Sequence, residues 1–128
     1  MGGRGTYASG NNVAYVYKTV DKIDGIKVLE PLDPKKSFSM PAEAHTSMSY
    51  IVLDKLGTFR QYREYNEQHL PTFEIGYHFE KGISTHGESV LHYHEYSAPG
   101  VEYRGKAKPI TQELIEKYKK YFKGIKNI

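Results

Sequence analysis

Thr72-Phe73-Glu74-Ile75-Gly76-Tyr77-His78-Phe79-Glu80 and Ser89-Val90-Leu91-His92-Tyr93-His94-Glu95-Tyr96 are the two runs whose reading decides the fold. In the first, Phe73, Ile75, Tyr77 and Phe79 alternate with Glu74, Gly76, His78 and Glu80. Residues two apart project from one face of a strand, so this is the pattern of an extended segment with one apolar and one polar side. The second run sets His92 and His94 on a single face and echoes the Tyr77-His78-Phe79-Glu80 order. Lys81–Glu88 between them, with Gly82 and Gly87, reads as a turn or short loop. If the two strands pair, His78, His92 and His94 meet on a shared sheet face.

Working outward, Met48–Leu53 and Thr58–Tyr65 read as two further strands around a turn at Asp54–Gly57, and Leu70-Pro71 marks a break. Val13–Ile23 and Ile26–Leu29 flank Asp24-Gly25, a pair that readily adopts positive φ and so predicts a hairpin. Glu30–Ala44, with Pro31, Pro34 and Pro41, reads as a surface connection. Met1–Asn12 is dominated by Gly, Ser and Asn and predicts a flexible arm.

Beyond the second histidine run, Pro99-Gly100 ends the strand and Val101–Lys108 is a basic connector. Thr111 is a good N-cap, with Gln112 and Glu113 in the first turn of a helix. Ile110, Leu114, Ile115, Tyr118, Tyr121, Phe122 and Ile125 recur at helical spacing as a stripe to pack on the sheet, and Gly124 is placed to end the helix. The expected architecture is α+β: a largely antiparallel sheet, made of a hairpin and a three- to four-stranded meander, with one C-terminal amphipathic helix packed on it. Residues 13–128 would form that single domain behind the 1–12 arm.

A chain of 128 residues is long enough to bury a core without disulfide or structural metal. Its apolar fraction is only 38%, but twelve Tyr and five Phe raise the area each core position can bury. The absence of Cys excludes thiol catalysis and Cys-type zinc sites. A net charge of +3 is compatible with an anionic partner without identifying one. No apolar run approaches the roughly 18–20 residues that span a bilayer, and the N-terminus has no signal-peptide core, so no membrane partner is expected. Met1-Gly2 with Thr6 meets the bare N-myristoylation pattern. There is no phosphate-binding Gly-rich loop after a strand, no nucleophile elbow and no His-Glu-x-x-His.

Three constellations remain. Twelve Tyr resemble a recognition surface, since Tyr supplies area and a hydrogen bond at low entropic cost; a core using Tyr in place of Leu and Ile explains them equally well. A metal-free ribonuclease of the barnase, colicin or RelE kind needs acid and base groups on a helix-on-sheet scaffold. Here His78, His92 and His94 would serve as acid and base, with Arg60, Arg63 and Arg104 as phosphate cations. Tyr62, Tyr77 and Tyr93 would stack bases. The plainer reading makes Arg60–Tyr65 a solvated strand face with cross-strand charge pairs. Third, His92 and His94 with His78 and Glu74 or Glu80 have the composition of a metal site, against half-buried strand histidines as the plain alternative. No metal and no cofactor is expected.

The opening Met1-Gly2-Gly3-Arg4-Gly5-Thr6-Tyr7-Ala8-Ser9-Gly10 resembles the start of small uncharacterised proteins of tailed phages and prophages of Gram-positive bacteria, encoded near head-morphogenesis genes. Similar Gly-Gly-Arg-Gly segments lie inside larger phage head proteins with toxin-like C-terminal domains. The resemblance covers about ten residues and carries over no catalytic residue. It implies a phage origin and action in the bacterial host cytoplasm or the virion. The leading expectation is therefore a phage-encoded, non-enzymatic interaction protein, either an accessory virion component or an inhibitor of a host defence factor. It would bind a host or phage protein, or a second copy of itself, through a Tyr/His-rich face including Tyr62, Arg63, Tyr77, Tyr93 and Arg104. The alternative is a small ribonuclease-like effector, acting on RNA through His78, His92, His94 and Arg60.

Overall fold

A computed structural model describes residues 17–31, 40, 44, 47–54, 56–125 and 128. The Gly-rich arm with Thr6, residues 13–16 of the first strand run and most of the proline-rich connection lie outside the described residues. The described chain forms an open, largely antiparallel sheet with a short C-terminal helix on one face. Its strands are β1 (Tyr17–Ile23), β2 (Ile26–Pro31), β3 (Ser49–Leu53), β4 (Phe59–Tyr65), β5 (Pro71–His78), β6 (Val90–Glu95) and β7 (Lys108–Pro109). They lie side by side in chain order. β2 and β3 pair in parallel; every other neighbour is antiparallel. At the β1–β2 turn Asp24 (φ 52°) and Gly25 (φ 81°) both take the left-handed conformation that their sequence predicts.

Strand alternation divides the sheet into two faces. On one, Val28, Ile51, Tyr62, Ile75 and Leu91 are buried with Tyr118, Tyr121 and Phe122 of the C-terminal segment. Phe59 joins this face because the register shifts between Val52 and Leu53, a bulge that turns it inward against Phe122. The helix, α1 (Gln112–Tyr118), begins as the sequence predicts: Thr111 Oγ1 accepts the Leu114 amide at 3.2 Å. It is shorter than the stripe implied. After Tyr118 the chain tightens into a 3-10 turn over Lys119–Tyr121, and the Lys123 carbonyl accepts the Phe59 amide at 2.8 Å. That tightening turns Tyr121 over Tyr62, with ring centroids 5.1 Å apart.

The second face carries a smaller aromatic cluster of Tyr17, Leu29, Met40, Ala44, Tyr50 and Tyr65 at the β1–β4 side. Two boundaries differ from the sequence reading. Pro71 starts β5 instead of breaking the chain, a position that needs no amide donor. β5 ends at His78, so Phe79 leaves the apolar face and is 54% exposed. The basic connector is also structured, with a 3-10 turn at Val101–Tyr103, a bridge between Tyr96 and Arg104, and β7 against β6.

Candidate histidine face of β5 and β6

The cross-strand register decides what the second face carries. Glu74 pairs with His94, Gly76 with His92 and His78 with Val90, while Arg63 of β4 pairs with Glu74. Directly opposed residues share a face, so Arg63, Glu74, His78, His92 and His94 stand together. Their in-between neighbours Tyr62, Ile75, Tyr77 and Tyr93 turn to the helix. One short stretch of sequence thus supplies both a hydrophobic core and a dense polar cluster.

Glu74, only 3% exposed, is the hub of the cluster. Its Oε1 accepts from Arg63 Nε at 3.0 Å and Nη2 at 2.9 Å, and from the Tyr96 hydroxyl at 2.5 Å. Its Oε2 faces Arg104 Nη1 at 3.3 Å and His94 Nε2 at 4.0 Å. Burial alone would push the carboxyl up, but the Arg63 guanidinium, the Tyr96 hydroxyl and then Arg104 and His94 hold it below its ordinary range. The same neighbourhood pushes the Tyr96 hydroxyl up, through burial first and the Glu74 charge after it.

The three imidazoles share one hydrogen-bonding habit. Nδ1 of His78 lies 2.8 Å from the Phe79 carbonyl, Nδ1 of His92 3.0 Å from the Val90 carbonyl, and Nδ1 of His94 2.8 Å from the Gly105 carbonyl. A carbonyl only accepts, so each contact places a proton on Nδ1, and in the neutral ring Nε2 is then the lone-pair acceptor. His78 and His92 then meet edge to face, with centroids 4.5 Å apart, and His92 meets His94 at 5.4 Å. They fit over β5 because residue 76 is glycine. A Cβ there would stand 2.9 Å from Nε2 of His92 and 3.1 Å from Nε2 of His78. His92 is fully buried, and its Nε2 has no hydrogen-bond partner among the described residues. Glu80 Oε1, 3.5 Å away, is at charge-pairing distance only. Burial, and then the two neighbouring imidazoles, hold His92 below the usual histidine range.

Beside this row lies an open hollow of about 450 Å³, lined among others by Glu80, Lys81, His94, Arg104 and Lys106. His94 is the histidine that reaches it. The remaining residues singled out from sequence are dispersed. Arg60 binds Asp54 at 3.0 Å, donates to the Tyr77 carbonyl and the Ser89 hydroxyl, and lies over the Tyr77 ring. It therefore stands with the helix-covered face, apart from the histidines, as a brace between the β3–β4 turn and β5. Tyr62 is core, stacked on Tyr121, with its hydroxyl donating to Glu64 at 2.7 Å. Tyr77 and Tyr93 are half-buried against the same core. Arg63 is buried on Glu74. These placements correct the expectation of a mixed Tyr/His face: strand alternation sends the three named tyrosines to the side opposite the histidines. Of the named arginines, only Arg104 is exposed beside the row.

The sequence reading missed Gly76, Tyr96, Lys81 and Lys106. Gly76 had a signal, since a lone glycine inside a strand marks close approach. Tyr96 had one as well, since it follows His92 and His94 at the same two-residue spacing and so shares their face beside Glu74.

No family model, curated protein or solved structure matches this chain. Among the described residues, no helix is long and apolar enough to cross a membrane.

Proposed function

We propose that this chain is a small ribonuclease-like effector that holds an RNA phosphate in the hollow beside β6 and uses His94 for acid–base chemistry. One observation carries the reading: His94, Glu80, Lys81, Arg104 and Lys106 line the same concavity, joining proton-transfer groups to phosphate-attracting cations. With Nδ1 bonded to Gly105, the Nε2 of His94 is the atom that exchanges a proton, and the imidazolium formed faces the Glu74 carboxylate at 4.0 Å. Attack by the 2′-hydroxyl on phosphorus gives its proton to Nε2 of His94, and the imidazolium so formed returns that proton to the leaving 5′-oxygen. The products are a 2′,3′-cyclic phosphate and a free 5′-hydroxyl. His92 is enclosed, so it positions the row and does not touch substrate. Arg60 and Tyr62 drop out of the proposed machinery because both serve the opposite face.

The test is incubation of the purified chain with an end-labelled oligoribonucleotide. The expected result is fragments ending in cyclic phosphate, with His94→Gln lowering the rate by about 10²–10⁴-fold, the range for loss of a general acid or base. Intact RNA, or equal cleavage by the variant, overturns the reading.

A second reading is the phage-encoded interaction protein, and exposed apolar side chains favour it: Phe79 at 54%, Val101 at 45% and Tyr103 at 46% are apolar area the fold does not bury. Its partner would be a host or phage protein or a second copy of the chain. It becomes the first choice if RNA stays intact. The N-terminal resemblance supports a setting in the bacterial host or the virion under either reading.

A further inference from the structure

We infer that His78, Glu80 and His92 form a binding site for one divalent transition-metal ion of the zinc class. The inference departs from the sequence expectation of no metal and does not rest on the ribonuclease reading. Four observations meet at this point. Nε2 of His92 is a fully buried acceptor with no hydrogen-bond partner among the described residues, an arrangement that costs free energy unless something small and electrophilic joins it. His78 and His92 each carry the Nδ1 contact to a backbone carbonyl that orients metal-binding imidazoles and leaves Nε2 to ligate.

Spacing is the third observation. One ligand atom from each of the three residues lies within 4.8 Å of the others, and Glu80 Oε1 is 3.5 Å from His92 Nε2. Tetrahedral zinc with bonds of about 2.0–2.1 Å sets its ligand atoms about 3.4 Å apart, so closing around an ion needs only a small shift. The fixed member is His92; His78 is exposed and Glu80 half-exposed, so the adjustable ligands are the two at the surface. Fourth, the missing side chain at Gly76 lets both Nε2 atoms come together over β5, at 2.9 and 3.1 Å from where a Cβ would stand.

The donor set selects the ion. Two imidazole nitrogens and one carboxylate suit zinc, cobalt or iron, whereas magnesium and calcium prefer oxygen ligands. His94 stands outside the set, because the ligand atoms that converge belong to His78, Glu80 and His92. Three protein ligands leave one tetrahedral position for water or a ligand atom, the arrangement of an open zinc site. Glu80 also lines the hollow, so site and hollow share a wall.

The test is Co²⁺ titration of the untagged, chelator-treated chain, read by visible absorption, with Zn²⁺ competition to confirm displacement. The wild type should give the intense bands of four-coordinate Co²⁺ at one equivalent. His78→Ala and Glu80→Gln alter surface side chains, and far-UV circular dichroism checks that both variants remain folded. Each should lose more affinity than the roughly 10–100-fold that removal of an outer-shell partner costs. His86→Ala, in the exposed loop after β5, should bind as the wild type does. No uptake by the wild type overturns the site, as does undiminished uptake by His78→Ala and Glu80→Gln. RNA cleavage measured on the same preparations is a separate readout: cleavage without metal uptake overturns this site and leaves the ribonuclease reading standing.

Discussion

The two faces of β4–β6 are built from adjacent residues and hold together by different physics. On the helix side, Tyr62, Ile75 and Tyr93 meet Tyr118, Tyr121 and Phe122, and the rings stack or tilt at centroid distances of 5.1 and 5.2 Å for Tyr62. Tyr62 and Tyr118 both donate their hydroxyls to Glu64. On the other side, Arg63, Glu74 and the three histidines occupy the intervening positions, and burial is balanced by charge pairing. Among the described residues, the first face leaves no buried side-chain polar atom without a partner. The second ends, toward β6, in an imidazole acceptor without a partner among the described residues. A side that closes its own interactions stabilises; a side that leaves one open is where a ligand is expected.

The largest effect should come from breaking the charge hub. Arg63→Ala leaves Glu74 buried beside a lost guanidinium and should cost about 3–5 kcal/mol, as for other buried pairs that lose one member. Ile75→Ala, one residue from the hub but on the apolar face, should cost about 2–5 kcal/mol. Urea unfolding at neutral and acid pH separates the two. Glu74 is held below its ordinary value of 4.5, so its stabilisation is present above that pH and is lost as the pH falls beneath it. The Arg63→Ala deficit should therefore shrink in acid, while the Ile75→Ala deficit stays constant. Equal behaviour of the two variants breaks the comparison.

A second pH step belongs to His92. Its folded value lies below the ordinary 6.5, so as the pH falls through 6.5 the unfolded chain takes up the proton first and stability declines. Urea midpoints should fall between neutral pH and about pH 5, and His92→Phe should flatten that part of the curve. Gly76→Ala should cost about 1–3 kcal/mol by overpacking, because its methyl meets two ring nitrogens. The smallest effect is expected at Thr111→Ala, about 1 kcal/mol for a lost N-cap. Imidazole resonances on the far face should not respond to that change.

Much of this division was legible in the alternation of residues 72–80 and 89–96, because period-two patterning assigns faces before any contact is known. The turn at Asp24-Gly25 and the cap at Thr111 were legible for the same reason: each is a local rule with a local cause. The parallel β2–β3 pairing was not, since nothing in either strand encodes which direction a long connection returns. Nor was the fate of the arginines. Arg60 and Arg63 lie in one run of similar residues, yet Arg63 is buried on Glu74 and Arg60 braces a turn over Tyr77. Alternation alone puts the two on opposite faces, but the partners that bury one and leave the other as a brace come from other strands and turns, and those are non-local. The convergence of His78 with His92 was readable as a condition, dependent on pairing; Gly76 marks where that condition is met.

The most direct test of the central claim, that the histidine face is organised with open Nε2 acceptors, is a long-range ¹⁵N–¹H correlation spectrum of the imidazoles above pH 7. The account predicts Nδ1–H tautomers with unprotonated Nε2 for His78, His92 and His94, with the His92 Nε2 the first to shift when Zn²⁺ is added. A His92 ring protonated at Nε2 would contradict it, because that proton would turn the acceptor into a donor toward Glu80 and close the face without a ligand.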